Sequence, residues 1–306
     1  MRSRLRQFVL ALPVLLVCAC GSNAARDEPR GTEDGSVVSA AEVPEAWREA
    51  FGAWMQGGEV WDDARDAALA DPELRQFLIE NWIIVMGRFY SGRALSARGQ
   101  MPGPFGRAQR ELVALGLQSA PSLIEFVRVG DEVAAKIAED TLVRMEEPRT
   151  CVLALVLLED RQSNSRRRGA NLLAQLPNAR GDEERVREAI AALAHDDPEW
   201  TVRAQATRAL GMRGVRDTVL EPTRHLLVRC LLDPDPAVHE AACRGLATLG
   251  DPLAIPALTS HLGALSRDPE TRISSVQATQ GALRKLSGRN VDWSPIEWER
   301  WWKAQR

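Results

Sequence analysis

The sequence predicts an all-α fold: an α-α superhelix of stacked helical hairpins, with a helical segment in front and a tryptophan-rich helix closing the end. Three observations predict it. From Val43 onward apolar residues recur at helical spacing and no period-two alternation interrupts them. "WTVRAQATRALGMRG", from Trp200, aligns with "PAVHEAACRGLATLG", from Pro236, at an offset of 36, pairing Val202 with Val238, Ala206 with Ala242 and Leu210 with Leu246. "RRRGANLLAQL", from Arg166, aligns with the second of these at an offset of 73, pairing Ala170 with Cys243, Leu173 with Leu246 and Leu176 with Leu249. Units of this length cannot bury an apolar face alone and must stack on their neighbours.

The chain begins with Arg2, Arg4 and Arg6, then an apolar run over residues 8–19. That run is shorter than the roughly 20 residues a membrane-spanning helix needs, and the layout is that of a secretory signal. Val17, Cys18 and Ala19 ahead of Cys20 resemble the lipobox of bacterial lipoproteins. The resemblance implies removal of residues 1–19, lipidation of Cys20, and an outer-membrane lipoprotein facing the periplasm, because Gly21 and Ser22 follow with no aspartate. Cys18 is the alternative, although Val17 puts a branched residue where a small one is required. An ordinary cleaved signal and an uncleaved core helix are the other readings. Residues 20–42 are small, charged and rich in turn formers, which predicts a lipidated tether reaching roughly 25 Å.

Removing residues 1–19 moves the formal charge from −3 to −6. An acidic chain is a poor ligand for nucleic acid, which is bound through phosphate neutralisation. Lysine occurs only at Lys136, Lys285 and Lys303, which disfavours Schiff-base chemistry.

Residues 43–105 read as an N-terminal helical segment. Trp47, Phe51 and Trp54 fall on one helix face, which docks the front helix onto the first repeat, and Gly57 and Gly58 end that helix. Asp71, Pro72 and Glu73 supply a cap, a first-turn proline and an acid for a second helix, and "GQMPGPFG" at 99–106 reads as a loop. Residues 106–290 carry the repeats. Asp-Pro pairs at 197–198, 235–236 and 268–269 precede successive first helices, and the small residues at the match points let helices approach closely. The pattern resembles the HEAT and HEAT-like (PBS-lyase-type) repeat family. That resemblance implies a solenoid with a concave face lined by each repeat's second helix, near 217–232 and 252–265.

Residues 291–306 predict a structural cap. Ser294 caps a helix, Pro295 takes its first position, and Glu297 completes a capping box. Trp293 and Trp298 fit a hydrophobic staple, and Trp298, Trp301 and Trp302 share one face that can cover the last repeat. The tail resembles the Leu-x-x-x-Gly … Trp … Trp-Trp ending of some bacterial HEAT-repeat proteins.

Few residues suggest chemistry. HEAT-like iron hydroxylases hold two metals with His-Glu pairs on successive repeats, whereas His239-Glu240 stands alone, with Arg203 and Ala204 at the aligned positions. His195, His225 and His261 share no spacing and read as surface or capping residues. Cys151, Cys230 and Cys243 have no histidine at a spacing that suggests nucleophilic catalysis and are expected as buried free thiols. On paired helices, Cys230 and Cys243 are offset by about 7.5 Å, too far for a disulfide. Arg166, Arg167 and Arg168 form the one dense basic spot and a candidate partner-binding site, or else a solvated helix start facing Asp182, Glu183 and Glu184. The reading is a lipid-anchored, non-catalytic scaffold for an unknown protein partner. It expects no metal, cofactor, nucleic acid or small-molecule substrate. The alternative is a glycan- or peptidoglycan-associating module with exposed tryptophans, and a HEAT-like enzyme is the third class.

Overall fold

The computed structural model describes residues 43–89, 103–216, 220–267 and 273–305. Residues 1–42, with Cys20 and the tether, lie outside the described residues, as does the Asp-Pro pair at 268–269. All regular structure among the described residues is helical.

The chain divides after Leu78 into two compact units. In the first, α1 (Glu45–Gln56) and α2 (Glu59–Ala70) form a hairpin, and α3 (Pro72–Phe89) begins. Gly57 and Gly58 take φ of 71° and 64°, a left-handed backbone that side chains resist, and this separates α1 from α2. Asp71 caps α3 by accepting from the N–H groups of Glu73 (2.9 Å) and Leu74 (3.3 Å). The aromatic face of α1 is closed by Phe77, whose ring lies 5.2 Å from that of Trp47 and 6.4 Å from that of Phe51. Trp54 is fully buried. Helix α2 is an element the sequence reading did not anticipate; most of its apolar residues are alanine.

In the second unit, helices alternate between two layers. One layer holds α4 (Gly103–Leu115), α6 (Glu132–Arg144), α8 (Ser163–Gln175), α10 (Trp200–Gly214), α12 (Pro236–Leu249) and α14 (Ile273–Ser287). The other holds α5 (Ala120–Val129), α7 (Thr150–Ala154, continued by a 3-10 turn to Glu159), α9 (Glu183–Asp196), α11 (Glu221–Cys230), α13 (Ile255–Leu265) and α15 (Pro295–Lys303). Across the layers α5 packs on α6, α9 on α10, α11 on α12 and α13 on α14, and within the first layer α8, α10, α12 and α14 pack in succession. This is an all-α solenoid. The segment read as a loop at 99–106 is helical from Gly103, which opens α4.

The first layer is tight because small residues face each other. A Cβ on Gly211 of α10 would lie 2.5 Å from the Cα of Gly245 on α12, so these backbones touch. Ala170, Ala206, Ala242 and Cys243 are fully buried in the same layer. Leu173, Leu210 and Leu246 fill the space between hairpins, at 1 % exposure or less.

Candidate functional site

A recurrence of Asp followed six residues later by Arg or His organises the charges of the stack. Asp160, Asp197 and Asp233 sit at the turns before α8, α10 and α12, and Arg166, Arg203 and His239 lie one turn inside those helices. The Nη1 of Arg166 donates to the carbonyl of Asp160 (3.0 Å), and that of Arg203 to the carbonyl of Asp197 (2.9 Å). Each arginine then reaches across to the next repeat's aspartate with a two-pronged fork. Arg166 meets Asp197 at 2.6 and 2.9 Å, and Arg203 meets Asp233 at 2.7 and 3.0 Å. Forked, desolvated pairs of this kind are geometrically demanding, and losing one partner strands a buried charge.

The dense arginine spot is therefore mostly turned inward. Arg166 belongs to the ladder, not to Asp182, Glu183 or Glu184. Arg168 donates to the carbonyls of Val127 (3.1 Å) and Gly130 (2.9 Å) at the end of α5. Arg167 alone is exposed, bonded to Asn164. The sequence held a signal for this in the recurrence of Asp-x5-Arg, which the Asp-Pro pairs masked. Asp197 is a ladder aspartate, whereas Asp235 is the N-cap of α12, accepting from Ala237 at 2.8 Å.

A second network lies at the opposite helix ends. Arg213, 3 % exposed at the end of α10, forks onto Glu183 at 2.6 and 2.8 Å and donates to the carbonyls of Leu173 and Leu176. Burial would raise the pKa of Glu183, but Arg213 and the N–H of Ala179 overcome that and hold it below the ordinary carboxylate value. The sulfur of Cys151 lies 3.9 Å from this guanidinium and donates to the carbonyl of Pro177. Burial nevertheless pushes its pKa up, so it remains a thiol. Glu139, Asn171 and Gln205 form a third, uncharged-to-charged chain across α6, α8 and α10 at 3.0 and 3.1 Å.

Two contacts were invisible in linear spacing. The Cys230 sulfur lies 3.8 Å from Nδ1 of His195, although 35 positions separate them. Burial pushes the thiol up to about 11 and pushes His195 down, so both groups favour their neutral forms. Cys243 is likewise buried, free, and pushed up to about 11. His239 and His261 meet edge to face, 5.1 Å between centroids, and His261 is only 9 % exposed. Its assignment as a surface or capping residue is corrected: burial, with His239 alongside, pushes it down to about 4. His225 is 64 % exposed.

His239 directs Nε2 at the carbonyl of Asp233, while Glu240 faces Arg244 at 3.7 Å. The one His-Glu dipeptide is thus divided between two intramolecular tasks. Among the described residues no group of three or more His, Cys, Asp or Glu is placed to hold a metal ion.

At the far end, α15 is built by its cap. The hydroxyl of Ser294 accepts from the N–H of Glu297 (3.4 Å), and the carboxylate of Glu297 accepts from the N–H of Ser294 (2.7 Å). The rings of Trp293 and Trp298 lie 5.0 Å apart, across the cap. Trp298 is fully buried and donates from Nε1 to Gln280 of α14 at 3.1 Å. Gln280 in turn donates to the carbonyl of Trp293 at 2.9 Å. Trp301 and Trp302 are half-buried, and the Arg289 guanidinium lies 5.6 and 5.4 Å from the rings of Trp293 and Trp301. Between α13 and α15, Trp302 lines an open groove of about 530 Å³.

Residues 188–280 match the family described as HEAT repeats. No curated protein matches the chain in sequence. Among solved structures, the chain is similar to YibA of E. coli at 18 % identity and a TM-score of 0.48, over 60 % of this chain and 63 % of that one. The chain therefore spans less than two thirds of YibA. It is similar to the CpcE–CpcF complex of phycocyanin lyase from Nostoc sp. PCC7120 at 20 % identity and a TM-score of 0.40, over 55 % and 96 %. It is also similar to human deoxyhypusine hydroxylase in complex with glycerol at 18 % identity and a TM-score of 0.34, over 81 % and 92 %. At these identities and scores none of them carries an argument about activity.

Proposed function

We propose that this HEAT-repeat solenoid is a lipid-anchored, non-catalytic scaffold that binds another protein at the cell envelope. The observation that carries the reading is the ladder of Arg166–Asp197 and Arg203–Asp233, which holds successive repeats in fixed register. Helices α9, α11 and α13 then form a preorganised row, and preorganisation lowers the ordering cost of association. Stacked repeats commonly use such rows to hold partners, and this step is an analogy of fold. The anchor rests on the lipobox-like residues ahead of Cys20, which would place the protein on the outer membrane facing the periplasm.

Photo-crosslinking in cells tests the binding. A crosslinker at the exposed positions His225 and Arg229 of α11 and Ala264 of α13 is expected to capture one defined protein. The same group at Arg208 on α10 is expected to capture none, and equal capture from both layers overturns the reading. For the anchor, Cys20→Ala abolishes labelling by radioactive palmitate, while retained labelling assigns the lipid to Cys18.

A second reading, association with cell-wall glycan, draws on the half-buried Trp301 and Trp302. It requires mature protein to pellet with purified sacculi and Trp302→Ala to release it without lowering the melting temperature. The cap reading instead centres on Trp298, whose replacement by Ala costs about 3–5 kcal/mol.

A further inference from the structure

The groove between α13 and α15 combines apolar surface with one cation that pairs with no carboxylate among the described residues. Pro256 and Thr259 of α13, with Pro295, Ile296 and Trp302 of α15, line it, and Arg267 stands just past the end of α13. Ile296 is 67 % exposed, so apolar area remains open to a ligand. The Oγ1 of Thr259, a residue 8 % exposed, has no hydrogen-bond partner. Charge narrows the choice. Glu299 and Lys303 neutralise each other at 2.7 Å. The exposed Arg267 donates Nε to the carbonyl of Gly263 at 3.0 Å and pairs with no carboxylate among the described residues. Its remaining N–H groups suit a single carboxylate, and Glu299 disfavours a second.

We infer that this groove takes an extended apolar peptide segment of a partner protein, with one acidic side chain seated on Arg267. The inference rests on the scaffold reading and names the place on α13 where it acts. The groove's volume lies in the range of ligand sites, and Trp302 supplies a flat apolar wall for a peptide side chain.

The test is titration of the mature chain, by calorimetry and tryptophan fluorescence, with acetyl-Leu-Phe-Glu-Leu-Phe-amide, its Gln counterpart, and chitotetraose. Saturable binding of the Glu peptide, about tenfold tighter than the Gln peptide, is expected. Arg267→Gln should erase that difference without changing the melting curve, and Trp302→Ala should weaken both peptides. Equal binding of the two peptides to wild type, no saturable binding, or binding of chitotetraose alone each overturns the assignment. Crosslinking of a partner through α11 that persists in Arg267→Gln would sink the groove while leaving the scaffold reading intact.

Discussion

Two helix junctions in the same solenoid use opposite packing. Between α10 and α12 the backbones touch at Gly211 and Gly245, and Arg203 fixes the register by gripping Asp233. Between α13 and α15 the closest approach at Gly263 leaves a hypothetical Cβ 3.7 Å from Pro295, and an open groove runs alongside. The first junction has no room for a ligand; the second has room and an arginine, Arg267, that pairs with no carboxylate among the described residues. Stability and binding are thus assigned to different junctions by the size of the facing residues and by whether the charges are already satisfied.

The largest effect should come from breaking the tight junction's ladder. Arg203→Ala strands the Asp233 carboxylate, 7 % exposed, and should cost about 3–5 kcal/mol in urea unfolding. A pH series separates a buried base from the paired acids. The pKa of His261 falls to about 4 on folding from an ordinary 6.5, so the unfolded chain takes up its proton first as pH falls. Stability from this group is complete above pH 6.5 and is lost between 6.5 and about 4, at up to about 1.4 kcal/mol per pH unit. His261→Leu should flatten that limb. Glu183 acts lower: its folded pKa is depressed, so its contribution holds above the ordinary carboxylate range and disappears as pH drops through the depressed value.

The same small substitution should then have opposite signs in the two junctions. Gly211→Ala forces a methyl group against the Gly245 backbone and should destabilise by about 1–3 kcal/mol in thermal melts. Gly263→Ala meets Pro295 at ordinary contact distance and should stabilise by about 0.5–1 kcal/mol through helix propensity. If both destabilise equally, the two junctions are not packed differently. The smallest effect is Arg167→Ala, an exposed side chain whose loss should stay within about 0.5 kcal/mol, and a larger loss would show that the arginine spot is structural throughout.

Much of this was legible in the residues. The match of Val202 to Val238 and of Leu210 to Leu246 located the paired helices, because apolar spacing is local and survives without knowledge of neighbours. The Ser294–Glu297 capping box was legible for the same reason: its partners lie three residues apart. Helix α2 was not, since most of its apolar residues are alanine and it has no repeat partner elsewhere in the chain to align with. Nor was the Cys230–His195 contact, whose partners belong to different hairpins and meet only after those hairpins stack.

The sequence by itself determined the helices, their repeat period and the caps that end them, all set by hydrogen bonds and apolar spacing within a few residues. Only the tertiary structure decided what the charged and aromatic residues do. Whether Arg166 faces water or Asp197, and whether Trp298 or Trp302 is buried, depends on which surfaces the stacking brings within a few ångströms, and desolvation then sets each group's chemistry.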